Sequence, residues 1–87
     1  MYLVTIKKKV LKRLRYLPAE VVERFYALER DLKLFGPVQT SWMNYSQLGN
    51  GEYHCHLDYH HVACWRNEEG TITIEVYYVG SREGAPY

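Results

Sequence analysis

One apolar stripe constrains the middle of this chain. Val21, Phe25, Leu28, Leu32 and Phe35 are spaced 4, 3, 4 and 3 residues apart. On a helix of 3.6 residues per turn they share one face. A chain of 87 residues has room for one hydrophobic core, so that face must pack against whatever the remaining sequence supplies. It supplies strands. Residues 53–58, 61–66 and 71–79 are rich in β-branched and aromatic side chains, as is the opening Tyr-Leu-Val-Thr-Ile at 2–6. Pro18 suits the first turn of the long helix, with Glu20 and Glu23 favourable near its N-terminus, and Gly36-Pro37 stops it. A shorter basic helix over 7–16 precedes it, carrying Val10, Leu11 and Leu14.

The order β-α-α-β-β-β predicts a single α+β domain over residues 1–87, with two N-terminal helices packed on one side of an antiparallel sheet. Residues 38–51, containing Trp42, Met43, Tyr45 and the run Gly49-Asn50-Gly51, read as a connecting segment. Asn67 to Gly70 makes the turn of a hairpin. In the last strand Ile72, Ile74, Val76 and Tyr78 are expected on the packed face, alternating with Thr73, Glu75 and Tyr77. Trp65 is expected to pack, whereas Trp42 can either close the core edge or line a groove.

No apolar run approaches the roughly 20 residues of a membrane span. No secretory signal is evident, so a cytoplasmic location is expected, with Cys55 and Cys64 as reduced thiols although they fall in adjacent strands. Charge is strongly uneven. Residues 1–17 contain six basic residues (Lys7, Lys8, Lys9, Lys12, Arg13 and Arg15) and no acid, while the rest has five Lys/Arg against ten Asp/Glu. Such a block is either a solvated helix face or a docking site for nucleic acid or an acidic partner.

The chemistry concentrates in Tyr53-His54-Cys55-His56-Leu57-Asp58 and the His60-His61 pair behind it; all four histidines lie within eight residues. Strand alternation places His54, His56 and Asp58 on one face and Tyr53, Cys55 and Leu57 on the other. Histidines titrate near neutral pH and can take and return protons, as ribonuclease-type transesterification requires. Zinc binding by the His-x-His pair is the weaker reading. Cys55 points away, and neither Cys-x-x-Cys nor His-x-x-x-His spacing occurs. No metal or other cofactor is expected. Arg82, leaving the last strand, is suited to gripping a phosphate, and Tyr87 to stacking on a base or donating a proton.

The chain as a whole resembles the RelE/ParE superfamily of type II toxin–antitoxin toxins. The residues that carry the resemblance are the basic first helix, the Leu17-Pro18 break, Leu48-Gly49, the strand opening at Tyr53, and the exit Val79-Gly80-Ser81-Arg82 with Tyr87 close behind. The resemblance implies a RelE-like fold and, in its RelE/HigB branch, an endoribonuclease that cuts mRNA in the ribosomal A site without a metal. It further implies a cognate antitoxin as partner, with mRNA and ribosome as targets. The family's basic catalytic pair falls on His54 and His56, its next arginine on His60 or His61, and its terminal arginine and tyrosine on Arg82 and Tyr87. Histidine in place of lysine shifts the chemistry toward acid/base catalysis. The catalytic set implied is thus His54, His56, His61, Arg82 and Tyr87, with the Lys7–Arg15 block docking RNA or antitoxin. Two other classes compete: a ParE-like toxin that binds and inhibits DNA gyrase, and a small zinc-stabilised binding protein.

Overall fold

The computed structural model describes residues 1–87. The elements are β1 (Leu3–Ile6), α1 (Lys8–Leu14), α2 (Ala19–Phe35), β2 (Ser46–Gly49), β3 (Glu52–His56), β4 (His61–Asn67) and β5 (Thr73–Ser81). They form one five-stranded sheet in the order β1-β5-β4-β3-β2. Both helices pack on one face of it, as expected of an α+β chain. Two features of the sheet differ from the expectation. β1 runs parallel to β5, with Leu3 opposite Thr73 and Ile6 opposite Val76, so the sheet is mixed. The connecting segment also contributes an edge strand, β2, in which Ser46 pairs with His54.

The helix stripe does what its spacing requires, up to a point. Val21, Phe25, Leu28 and Leu32 are buried on α2, and each contributes about 1.5–3 kcal/mol of burial. Phe35, the fifth member, is 71 % exposed. The helix ends beside it, where Gly36 takes φ +91° and donates its N–H to the Leu32 carbonyl. A side chain at Gly36 would strike the Tyr2 ring at 2.7 Å, so both the positive φ and the close approach call for glycine. On α1, Val10 and Leu14 are buried while Leu11 is exposed.

Beneath the helices lie Cys55, Leu57, Ala63, Trp65, Ile74, Val76 and Val79. Trp65 is fully buried, donates its indole N–H to the Pro37 carbonyl, and stacks with Tyr53 and Tyr45. Trp42 closes the core edge and donates to Asp31 Oδ2 at 2.9 Å.

Simple alternation fails in β5. Cys64 pairs with Tyr78 but its neighbour Trp65 pairs with Val76, which leaves Tyr77 as the extra residue of a bulge. The bulge carries Tyr78 to the sheet face opposite the helices, in register with Cys64 and His54, rather than beside Ile74 and Val76. Ile72 precedes the strand and is exposed. Cys55 and Cys64 are free thiols on opposite faces of the sheet, and burial pushes both up to about 12, so they stay protonated and unreactive at neutral pH.

Candidate functional site

The register of the three central strands composes the face away from the helices. His54, Cys64 and Tyr78 form one cross-strand row, and His56, Val62 and Gly80 the next. His54 and His56 are two residues apart on β3, so both point outward and their ring centroids are 5.7 Å apart. The chain leaving β5 at Ser81 returns across this face and sets the Tyr87 ring 4.5 Å from that of His54. Three members of the expected set, His54, His56 and Tyr87, are therefore in direct ring contact.

His54 is buried although it lies on the outer face. Its Nδ1 is 3.0 Å from Ser46 Oγ on the edge strand. Burial lowers its pKa below the usual histidine value, the neighbouring His56 lowers it further, and a hydrogen bond to the Ser46 backbone partly opposes both. The ring is thus neutral at pH 7 and able to accept a proton. Burial raises the Tyr87 pKa, with Cys64 and Tyr78 adding to the effect and Arg82 opposing it, so this phenol keeps its proton. Ser46 escaped the sequence reading because Ser-Gln-Leu-Gly carries no strand signal of its own.

Asp58 does not join the histidine row, because β3 stops at His56. It belongs to the following turn, where Oδ1 accepts hydrogen bonds from the backbone N–H of His60 (2.8 Å) and His61 (2.7 Å) and lies 2.9 Å from His61 Nδ1. Its burial acts to raise the carboxyl pKa, but these bonds outweigh it and the net shift is downward. His61 is therefore tied to Asp58, and His60 meets the Tyr59 ring edge-on. Arg82 sits where the tail leaves the sheet. Its backbone N–H bonds the His60 carbonyl, its guanidinium lies 4.5 Å from the centre of the Tyr59 ring, and Nε is 3.6 Å from Glu83.

In the basic block Lys8, Lys9, Lys12, Arg13 and Arg15 are exposed along α1, while Lys7 is half-buried at the helix start. Arg13 reaches further than its place in that block suggested. Its Nε would lie 3.0 Å from a Cβ at Gly80, beside the Tyr78 hydroxyl, which brings one cation to the histidine face. No group of three His, Cys, Asp or Glu side chains is arranged to hold a metal ion.

No histidine lines any of the three surface hollows. The two larger, about 550 and 650 Å³, lie at the far end of the sheet around Asn50, Gly51, Asn67 and Glu68. An open face with a cation at its rim suits an extended polymer better than an enclosed small molecule.

No protein-family model matches the chain, and no curated protein matches it. Solved structures do. A chain of the archaeal RelE–RelB complex from Pyrococcus horikoshii OT3 superposes with a TM-score of 0.76 at 20 % identity, covering 97 % of this chain and 98 % of that one. The YoeB/ParE toxin from Agrobacterium tumefaciens gives 0.75 at 14 % identity, covering 92 % and 98 %. The isolated E. coli RelE toxin gives 0.74 at 16 % identity, covering 99 % and 89 %. This is the RelE/ParE toxin fold. The likeness spans nearly the whole chain, and two helices packed on a five-stranded mixed sheet match the RelE-like α+β fold. No helix is long and apolar enough to cross a membrane.

Proposed function

We propose that this protein is the toxin of a type II toxin–antitoxin system and an endoribonuclease that cuts mRNA on the ribosome by metal-independent transesterification. The observation that carries the reading is the ring cluster: His54, held neutral by burial, contacts both His56 at 5.7 Å and Tyr87 at 4.5 Å. In the tautomer with its proton on Nδ1, facing Ser46 at 3.0 Å, His54 keeps the Nε2 lone pair for the proton of a ribose 2′-hydroxyl. The 2′-oxygen attacks the adjacent phosphorus, the bond to the 5′-oxygen breaks, and a 2′,3′-cyclic phosphate remains. Tyr87, which keeps its proton at neutral pH, or the neighbouring His56 supplies the proton to the departing 5′-oxygen. Arg82 neutralises the charge developing on the phosphoryl oxygens, with Arg13 as a second cation beside Gly80. His61 supports the site through the Asp58 turn.

The exposed Lys8–Arg15 face of α1 docks ribosomal RNA or an acidic antitoxin segment. Related structures include the RelE–RelB complex from P. horikoshii and the YoeB–YefM complex from Staphylococcus aureus, and a cognate antitoxin is the expected partner here. Cleavage of mRNA in a purified translation system, mapped by primer extension, tests the reading. The parent protein should cut at A-site codons, and His56→Ala and Arg82→Ala should each lose about 10²–10⁴-fold in rate. Intact mRNA with the parent protein overturns the nuclease reading, and inhibition of gyrase supercoiling would then assign the chain to the ParE-like binders.

A further inference from the structure

Tyr59 is held out in solvent by a turn with little freedom left. Asp58 fixes the backbone N–H groups of His60 and His61, the Leu57 N–H donates to the His61 carbonyl at 2.8 Å, and Arg24 Nη1 donates to the Leu57 carbonyl at 3.1 Å. From the other side, the Arg82 N–H clamps the His60 carbonyl at 2.8 Å. At the tip of this frame Tyr59 remains 66 % exposed, with the Arg82 guanidinium 4.5 Å from its ring centre and the His60 ring edge-on at 5.0 Å. An isolated exposed aromatic needs no explanation; Tyr16, 85 % exposed at the end of α1, has no stacked partner of any kind. Tyr59 differs in being fixed, stacked by a cation, and placed beside the histidine face. Its flanking residues, Asp58 and His60, are polar, so it is not the centre of an apolar patch of the kind that anchors a protein partner.

We propose that Tyr59 is a stacking platform for one nucleobase of single-stranded RNA, set so that Arg82 meets a neighbouring phosphate of the same strand. The inference rests on the RNA-cleaving reading above. Single strands are bound by pairing aromatic faces with cations along the backbone, and any base can stack. The platform therefore adds affinity and register on the message with little preference for base identity. Tyr59 reads position along the strand, and His54 and its neighbours act on the bond so placed.

The test uses ribosomes programmed with an mRNA carrying a 2′-deoxynucleotide at the scissile position, which binds but cannot be cut. Affinities would be measured for the parent, Tyr59→Ala, Tyr59→Trp, Arg82→Ala and the Tyr59→Ala/Arg82→Ala pair. Tyr59→Ala should weaken binding roughly 5- to 150-fold, the range expected for one base stack, and Tyr59→Trp should retain affinity. The loss should persist in the Arg82→Ala background. If it vanishes there, Tyr59 serves only to hold Arg82 and the platform is overturned. A parent that cuts unmodified mRNA while Tyr59→Ala binds and cuts equally well also overturns the platform but leaves the nuclease intact. A parent that neither binds nor cuts overturns both.

Discussion

The Tyr87 ring lies over His54, centroid to centroid at 4.5 Å and inclined by 47°. This contact helps to make a histidine on the outer face of a sheet a buried one. Burial is the largest cause of the lowered His54 pKa, ahead of the repulsion from His56. Tyr87→Ala should therefore move the His54 pKa up toward the ordinary histidine value, read from the imidazole proton shifts in an NMR titration. An unchanged His54 titration would mean that the strands, rather than the tail, exclude water from the ring.

The same shift links stability to pH. His54 binds a proton less readily folded than unfolded, so lowering the pH through the unfolded value of about 6.5 favours the unfolded chain. The contribution is neutral above that pH and grows more unfavourable until the folded ring titrates. Urea midpoints should fall between pH 7 and pH 5, and His54→Gln should flatten that part of the profile. Asp58 acts at lower pH. Its depressed pKa stabilises the fold above the usual carboxylate range and is lost as pH falls through the folded value, so the two effects separate along one titration.

Ser46 orients the proposed base. Its hydroxyl is 3.0 Å from His54 Nδ1 and sits on an exposed edge strand. Ser46→Ala should leave the fold intact but lower kcat for mRNA cleavage about 2- to 10-fold, the rate equivalent of one net hydrogen bond, with KM little changed. The acid limb of the pH–rate profile should stay in place, because the hydrogen bond that raises the His54 pKa is to the Ser46 backbone, which the substitution keeps. Ser46→Thr, which keeps the hydroxyl, should restore kcat.

Much of this arrangement was legible because it is local. The outward pairing of His54 and His56 follows from the strand period, and the burial of Trp65, Phe25 and Leu28 from pattern and size. What was not legible depends on partners distant in sequence. The parallel seating of β1 on β5 joins the first strand to the last, and nothing in Leu-Val-Thr-Ile specifies it. β2 exists because β3 offers Ser46–Gly49 an edge to pair with, and the bulge at Tyr77 shifts Tyr78 against a clean sequence alternation. Asp58 left the histidine row because its carboxylate finds three donors in the turn, which ends the strand two residues early. Tyr59 and Arg82 are 23 positions apart and meet because the β4–β5 pairing sets Ser81 opposite His61 and carries Arg82 to the turn before β4.

The apolar stripe of α2 gives the sharpest test of how far periodicity can be trusted. Phe25 and Phe35 belong to one pattern in the sequence, yet Phe25 is fully buried and Phe35 is 71 % exposed. Phe25→Ala removes a ring packed among core residues, leaves a cavity and should cost about 3–5 kcal/mol. That is a large part of the roughly 5–15 kcal/mol that holds a small domain together, so the urea midpoint should collapse. Phe35→Ala, at the last turn before Gly36, should change stability by no more than about 0.5 kcal/mol. Equal losses for the two variants in urea unfolding would show that Phe35 packs in solution, and that the helix end lies closer to the sheet than its exposure here implies.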